Sequence, residues 1–186
     1  MEDGIDLGLY ATEQWPNLVA YSRFCSDCVT SEEECATCAT RKGYFMYRSE
    51  DTKWSVTDRF LDWILNEPAN SDTLFVAHNG SRFDMHFIVS RLLHRGIYPN
   101  MILNGTQLIG MDVKPLKGQK FNAVSFKDSY LLVPLPLASL PKAFDIADMS
   151  KGEFPYLLNH PINYGKVMPG LPGKQYYCTA RKKAEA

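Results

Sequence analysis

The spacing of apolar and polar residues along the chain predicts strands that alternate with two helices. Extended apolar stretches, each bounded by polar or turn-forming residues, lie at residues 16–24, 43–48, 73–76 and 121–126. One face of the first predicted helix carries apolar residues at helical spacing: Phe60, Leu61, Ile64 and Leu65. Pro68 ends that helix, and Gly96 ends a second one over residues 85–95. Asn104-Gly105 lies between two further apolar runs and predicts a hairpin, so the expected fold class is mixed α/β.

The stretch between the strand at 73–76 and the second helix carries the strongest candidate chemistry. We expect this strand to be buried, and the turn after it to deliver Asn79, Phe83 and Asp84 to one end of a sheet, where clefts form in α/β folds. Asn can hydrogen-bond a sugar or phosphate, Phe can stack on a base, and Asp can hold a hard divalent cation. An Asp at a helix start can equally well cap the helix and interact with its dipole. The local pattern leaves both interpretations of Asp84 open.

The composition is that of an ordinary globular chain. Of its 186 residues, 45% are hydrophobic and 22% are charged, and the net charge is -1. This length predicts one domain with a real core, and the near-neutral charge means that any binding of nucleic acid depends on a local cleft. The sequence has no run of eighteen apolar residues, and its first residues do not resemble a signal peptide. We therefore expect no membrane partner, no secretion and an intracellular location, nuclear or cytoplasmic.

Four closely spaced cysteines follow the first predicted strand. Cys25, Cys28, Cys35 and Cys38 form a C-x2-C-x6-C-x2-C array. Each C-x2-C pair can place two thiolates on one side of a turn, and two such pairs complete a tetrahedral zinc site. Disulfides or free thiols are the alternatives, and the absence of a secretory signal disfavours the disulfides. The next predicted strand begins at Gly43, so we expect the array to be an insertion between two strands.

Further motifs, in order along the chain, resemble one family of enzymes. Residues 79–84 fit the motif N-x2-3-F/Y-D, residues 128–133 resemble S/T-L-x2-h, where h is hydrophobic, and residues 151–156 resemble KG-x3-Y. With the cysteine array, these motifs make the chain similar to the N-terminal 3′–5′ exonuclease domain of protein-primed family B DNA polymerases, of the Maverick/Polinton, linear-plasmid and viral type. The resemblance runs from about Pro16 to Tyr177. It implies a ribonuclease-H-like exonuclease fold, a mixed sheet with flanking helices, that carries a zinc-knuckle insertion.

The resemblance also implies a role for each matching residue. Asp84 would hold Mg²⁺ or Mn²⁺, and Lys151 would act in catalysis near the scissile phosphate. The residues that would hold single-stranded DNA at the 3′ end of a primer are Asn79, Phe83, Ser129, Tyr130 and Tyr156. Zn²⁺ at the four cysteines would be structural. The exonuclease-like domain would span residues 1–177, with the knuckle at 25–38 and a basic tail at 178–186.

Two carboxylate motifs of the family have no match in this sequence. The first motif, D-x-E, would precede Pro16, and the second, Y-x3-D, would follow Tyr156. The sequence also lacks the polymerase module of the family. The comparison therefore predicts an incomplete fold, truncated at both ends, in a fragment or domesticated remnant that binds single-stranded DNA with little catalysis. One alternative is an active exonuclease with substitute carboxylates, such as Asp6, Glu13 or Asp128. Another is a zinc-stabilised module that binds a protein partner.

Overall fold

Strands and helices alternate along the chain. The computed structural model describes residues 15–30, 35–38, 41–146, 154–164, 166 and 171–177. The strands are β1 (Leu18–Ser22), β2 (Lys42–Met46), β3 (Thr73–Ala77), β4 (Asn100–Asn104), β5 (Gln107–Val113) and β6 (Val124–Asp128). The helices are α1 (Ser55–Asn66), α2 (Asp84–His94) and the short α3 (Leu140–Ala143). Single turns of 3-10 helix lie at Pro68–Asn70, Gly80–Arg82, Ser129–Leu131, Leu137–Ser139, Pro161–Asn163 and Lys174–Tyr176.

The described strands form two sheets. β1 and β2 are an antiparallel pair, and the second sheet has the order β3-β6-β5-β4. In the second sheet β4, β5 and β6 are antiparallel neighbours, whereas β3 and β6 run parallel, with Ala77 opposite Asp128. Because neighbouring parallel strands end at the same edge of a sheet, the residues that follow β3 meet those that follow β6. The candidate site that involves Asp84 lies at this edge.

One hydrophobic core joins the two longer helices to the second sheet. The buried core residues of the helices are Phe60, Leu61, Ile64, Leu65, Met85, Ile88 and Leu92. Those of the strands are Leu108, Met111, Val113, Val124 and Phe126. Each large apolar side chain stabilises a fold by about 1.5–3 kcal/mol when it is fully buried. Trp63 and Phe75 pack against the same core and against each other edge to face, which ties β3 to α1.

Ion pairs hold α2 against α1. The carboxylate of Asp58 accepts hydrogen bonds of 3.0 Å from the guanidinium groups of Arg91 and Arg95. Arg95 also pairs with Asp62 at 2.7 Å. Burial alone would raise the pKa of Asp58, but the two arginines outweigh burial and lower it. These contacts orient α2, whose first residue is Asp84.

The mixed α/β class is confirmed, and one expectation about the sheet is wrong. The Asn104-Gly105 hairpin joins β4 to β5, with Gly105 in the left-handed region at φ 59°. The strand β3 is not buried as expected, because Leu74 and Val76 are 51% and 59% exposed. Among the described strands β3 pairs with β6 alone, so its other edge stays open. None of the described helices is long and apolar enough to span a bilayer.

Candidate functional site

The four cysteines of the array converge on one point in the connection between β1 and β2. Their sulfur atoms all lie within 4.8 Å of one another. The Sγ–Sγ distances are 3.6 Å for Cys25 and Cys28, 3.7 Å for Cys25 and Cys35, and 3.4 Å for Cys28 and Cys38. Zn–S bonds of about 2.3 Å in a tetrahedron separate the sulfurs by about 3.8 Å, whereas a disulfide needs about 2.05 Å. The four thiols are free, and they are close enough to bind a metal such as zinc.

Hydrogen bonds support the cluster and set the acidity of its thiols. The Cys25 amide donates to the Cys28 sulfur at 3.4 Å, and Arg41 donates to the Cys28 carbonyl oxygen at 3.1 Å. A hydrogen bond from the Cys38 backbone stabilises the Cys35 thiolate and lowers the pKa of Cys35 to about 7. Burial raises the pKa of the Cys38 thiol to about 12. Because zinc binds thiolates, metal binding at this cluster would release protons.

A tight turn connects β3 to α2. Asn79 adopts a left-handed conformation with φ 64°, which Asn tolerates better than most residues. A Cβ atom on Gly80 would lie 2.7 Å from the Cβ atom of Ala77, so a larger residue would push the turn away from β3. Phe83 precedes α2, and no side chain caps the helix. Asp84 is therefore the first helical residue rather than the cap, although its charge still favours the helix dipole.

Asp128, the last residue of β6, anchors this turn. Its carboxylate accepts hydrogen bonds from the backbone N–H groups of Asn79 (2.7 Å), Ser81 (3.0 Å) and Tyr130 (2.8 Å). The residue is only 2% exposed. Burial alone would raise the pKa of Asp128, but the hydrogen bonds outweigh burial and lower it. The fold thus stabilises the charged form of Asp128.

Asp84 lies close enough to Asp128 to be affected by its charge, and it lines a wide cavity. The cavity has a volume of about 1110 Å³ and lies between β1 and β3, with residues of α1 and α2 in its wall. Solvent reaches much of Asp84, yet partial burial of its carboxyl raises the pKa, and the charge of Asp128 raises it further. Apart from the cysteine cluster, the described residues contain no group of three or more potential ligands close enough to share a metal ion. The two aspartates therefore have no third ligand among the residues that the structure describes.

His78 joins the end of β3 to the loop that follows β6. Its Nδ1 atom lies 3.1 Å from the Ser129 hydroxyl oxygen, and its Nε2 atom lies 2.8 Å from the Leu135 carbonyl oxygen. The ring also meets the Tyr130 ring edge-on, with centroids 5.5 Å apart. These contacts and the Asp128 hydrogen bonds fix the turn and the loop as one unit at the edge of the sheet.

The family becomes clear from comparison with known proteins. The family model described as DNA polymerase type B, organellar and viral, matches residues 66–184. The chain belongs to this family. A protein of Ascobolus immersus described as a probable DNA polymerase is 30% identical over 126 residues, which make up 64% of this chain and 10% of that protein. The type B polymerase chain thus spans about a tenth of the length of that relative. No solved structure matches the type B polymerase chain.

The match to the type B polymerase family covers one of the two candidate sites. Residues 66–184 include β3, the turn, α2 and Asp128, whereas the cysteine cluster at residues 25–38 comes before them. The family relationship therefore supports a functional role for the turn, whereas the case for a metal site at the cysteine cluster depends on the positions of its sulfur atoms.

The fold brings together most of the residues predicted to act in this polymerase-family chain. Those that meet around Asp128 are Asn79, Asp84, Ser129 and Tyr130. Phe83 belongs to the same turn and is 59% exposed. Tyr156 is exposed and packs edge-on against Phe154, and within the described part of the chain its hydrogen bonds and ring contacts do not involve the turn. Asp6, Glu13 and Lys151 lie outside the described residues.

Two residues of the polymerase-family site have roles that the sequence does not predict. The sequence indicates Asp128 only as a substitute carboxylate of an active exonuclease, yet its carboxylate organises the turn. The sequence shows that Asp128 lies at the end of a predicted strand. It does not show that the N–H groups of the turn are its hydrogen-bond partners, because that contact depends on the parallel pairing of β3 with β6. His78 receives no role from the sequence, although it lies directly before Asn79.

Proposed function

We propose that this chain is the 3′–5′ exonuclease domain of a protein-primed DNA polymerase, in a form that binds single-stranded DNA and lacks full catalysis. It would be a fragment or domesticated remnant of the larger protein, of the Maverick/Polinton, linear-plasmid or viral type. The turn at residues 79–84, anchored on Asp128, carries the proposal. This turn lies inside the segment that matches the type B polymerase family.

The side chains around the turn suit the frayed 3′ end of a primer. Phe83 is exposed and can stack on a base of any identity, an interaction that contributes about 1–3 kcal/mol per base. Asn79 and Ser129 are half-buried polar residues at the same edge of the sheet, where Asn79 can hydrogen-bond a sugar or phosphate and Ser129 can hydrogen-bond a sugar. Tyr130 adds a second ring beside them. In this proposal Tyr156 and Lys151 also contact the DNA, Lys151 near the scissile phosphate.

The carboxylates of the turn do not fit a two-metal site, and this limits the catalysis that we propose. Mg²⁺ or Mn²⁺ in such sites activates water and stabilises the leaving oxygen. Both carboxylate oxygens of Asp128 already accept backbone hydrogen bonds. The raised pKa of Asp84 opposes the charged form that a cation requires. We therefore propose binding of DNA without efficient cleavage.

The proposal extends to the fold and the setting of the protein. A four-stranded mixed sheet with flanking helices is compatible with a ribonuclease-H-like domain over residues 1–177, with a basic tail at 178–186. Structural Zn²⁺ would be held by the knuckle at residues 25–38. The partners would be the 3′ end of a primer and a polymerase module, in the nucleus or cytoplasm.

Binding of a fluorescently labelled single-stranded oligonucleotide, measured by anisotropy, tests the proposed DNA site. Phe83→Ala should weaken binding by about 5- to 150-fold, which corresponds to the loss of one stacked base. Tyr98→Ala is the matched control, because Tyr98 is also exposed but follows the opposite end of α2. Equal affinities of Phe83→Ala and the unaltered chain would rule out this DNA site.

A nuclease assay on the same material separates the alternatives. We expect little degradation of single-stranded DNA with Mg²⁺ or Mn²⁺. Efficient degradation that Asp84→Ala abolishes would instead identify an active exonuclease that uses substitute carboxylates. Failure to bind DNA, combined with capture of a protein partner that Cys25→Ser abolishes, would favour the interaction module.

A further inference from the structure

The contacts of His78 determine which of its ring nitrogens carries a proton. The Leu135 carbonyl oxygen can only accept, so Nε2 donates across the 2.8 Å contact. In a neutral imidazole ring the other nitrogen, Nδ1, is then an acceptor. Across the 3.1 Å contact, the Ser129 hydroxyl therefore donates to Nδ1. His78 thus accepts the only hydrogen bond that the Ser129 hydroxyl can donate.

A hydroxyl group whose proton is committed can still accept a hydrogen bond. The Ser129 side chain is half-buried, and its oxygen retains lone-pair capacity for a ligand. Bonded to His78, Ser129 offers a ligand an acceptor and no donor. Phosphodiester oxygens carry no proton at neutral pH and cannot complement such a group. Sugar hydroxyls and base N–H groups can.

We propose that His78 is a positioning residue that makes Ser129 a detector of the free 3′ hydroxyl of a DNA strand. This inference rests on the proposed function and adds the chemical group that the site recognises. A site for any primer end cannot depend on base N–H groups, because their positions differ between the bases. The terminal sugar hydroxyl is the donor that all primer ends share. The hydrogen bond from Tyr130 to Asp128 and the edge-on contact of Tyr130 with His78 hold the backbone next to Ser129.

Two single-stranded oligonucleotides of identical sequence test the proposal at neutral pH. One ends in a 3′ hydroxyl group, and the other ends in a 3′-deoxy sugar that lacks this group. The unaltered chain should bind the hydroxyl end about 2- to 12-fold more tightly, which is the range for one neutral hydrogen bond. The readout is the ratio of the two affinities, because a general loosening of the fold would weaken both complexes alike.

Variants of the pair should change this ratio in a defined way. Ser129→Ala should remove the preference for the hydroxyl end. His78→Phe should remove it too, because the freed hydroxyl can turn its proton toward a phosphate. His78→Gln is the second variant and should keep the preference, because its amide nitrogen can donate toward Leu135 while its amide oxygen can replace Nδ1 as the acceptor for Ser129. His94→Phe, at the opposite end of α2, should keep it.

The outcomes of these binding measurements distinguish the proposed role of His78 from the proposed DNA-binding function. Equal binding of the two ends by the unaltered chain would overturn this inference and leave the proposed DNA-binding function standing. A preference that disappears in Ser129→Ala but persists in His78→Phe would show that His78 does not set it, and would also overturn the inference. Absence of binding to either oligonucleotide would overturn the proposed function and this inference with it.

Discussion

The cysteine cluster and the turn between β3 and α2 are held together by different contacts. The cluster gathers four thiols from one short loop, and a metal such as zinc is the partner that their geometry suits. The turn is anchored across the sheet, where Asp128 accepts hydrogen bonds from residues as distant as Asn79, 49 positions earlier. Loss of an ion should therefore undo the first region and spare the second.

The two regions also differ in the kind of observation that points to a function for each. The turn lies within the match to the type B polymerase family, whereas the cluster precedes it. The cluster is recognisable from cysteine spacing alone, because each C-x2-C pair defines a local geometry. Experiments that perturb one region and monitor the other test whether they are as independent as their contacts indicate.

Removal of the metal should have the largest effect. Structural zinc contributes about 10–16 kcal/mol in small zinc domains, so chelation or Cys38→Ser should unfold the loop between β1 and β2. Metal analysis should find about one zinc ion per unaltered chain and none in the variant. Cys178→Ser, which alters the cysteine outside the array, is the control. Binding of DNA through Phe83 should survive chelation, and freshly purified protein without zinc would contradict the metal assignment.

Asp128→Asn should have the next largest effect, on the turn alone. The amide nitrogen of Asn cannot accept, so a buried backbone N–H group would lose its partner, at a cost of about 2–4 kcal/mol in the free energy of unfolding. Asp84→Asn is the matched control and should change that free energy by about 0.5 kcal/mol or less at pH 4. Urea unfolding measures both. Equal stabilities of the two variants would contradict the anchoring role of Asp128.

The two carboxylates should respond to pH with opposite signs. The pKa of Asp128 is lowered, so its stabilisation is complete above the unfolded pKa of about 3.9 and is lost as the pH falls through the folded pKa. The pKa of Asp84 is raised, so its stabilisation is complete below the unfolded pKa and is lost as the pH rises through the folded pKa. Asp84→Asn should therefore gain stability relative to the unaltered chain from about pH 4 upward. If the difference in the free energy of unfolding between Asp84→Asn and the unaltered chain stays constant up to about pH 7, the pKa of Asp84 is not raised in the folded protein.

The smallest expected effect is a difference in reactivity within the cysteine cluster. In metal-free protein Cys35 should be alkylated before Cys38, because their pKa values are about 7 and about 12 and the thiolate is the reactive form. Mass spectrometry after brief exposure to iodoacetamide at neutral pH gives the order. Added zinc should protect both thiols. Alkylation of Cys35 and Cys38 at the same rate would contradict the difference between their pKa values.

Local patterns predicted the elements, and long-range pairing determined the site. The apolar spacing in α1 and α2 and the Asn104-Gly105 turn depend on neighbouring residues, so the sequence was sufficient for them. The exposure of β3 was not predictable in the same way, because an apolar run does not reveal how many strands flank it. The role of Asp128 was hidden for a related reason, since two of its three partners belong to the turn after a different strand.

The parallel pairing of β3 with β6 also has a consequence for the order of folding. β1 pairs with β2, and β4 with β5, so these contacts join segments that are close in sequence and can form early. β3 must instead wait for β6, while α2, β4 and β5 fold between them. A nascent chain therefore acquires the Asp128-anchored turn only after β6 has been synthesised and docked. Binding of a DNA end at this edge would be among the last properties to appear during folding, and so a sensitive measure of its completion.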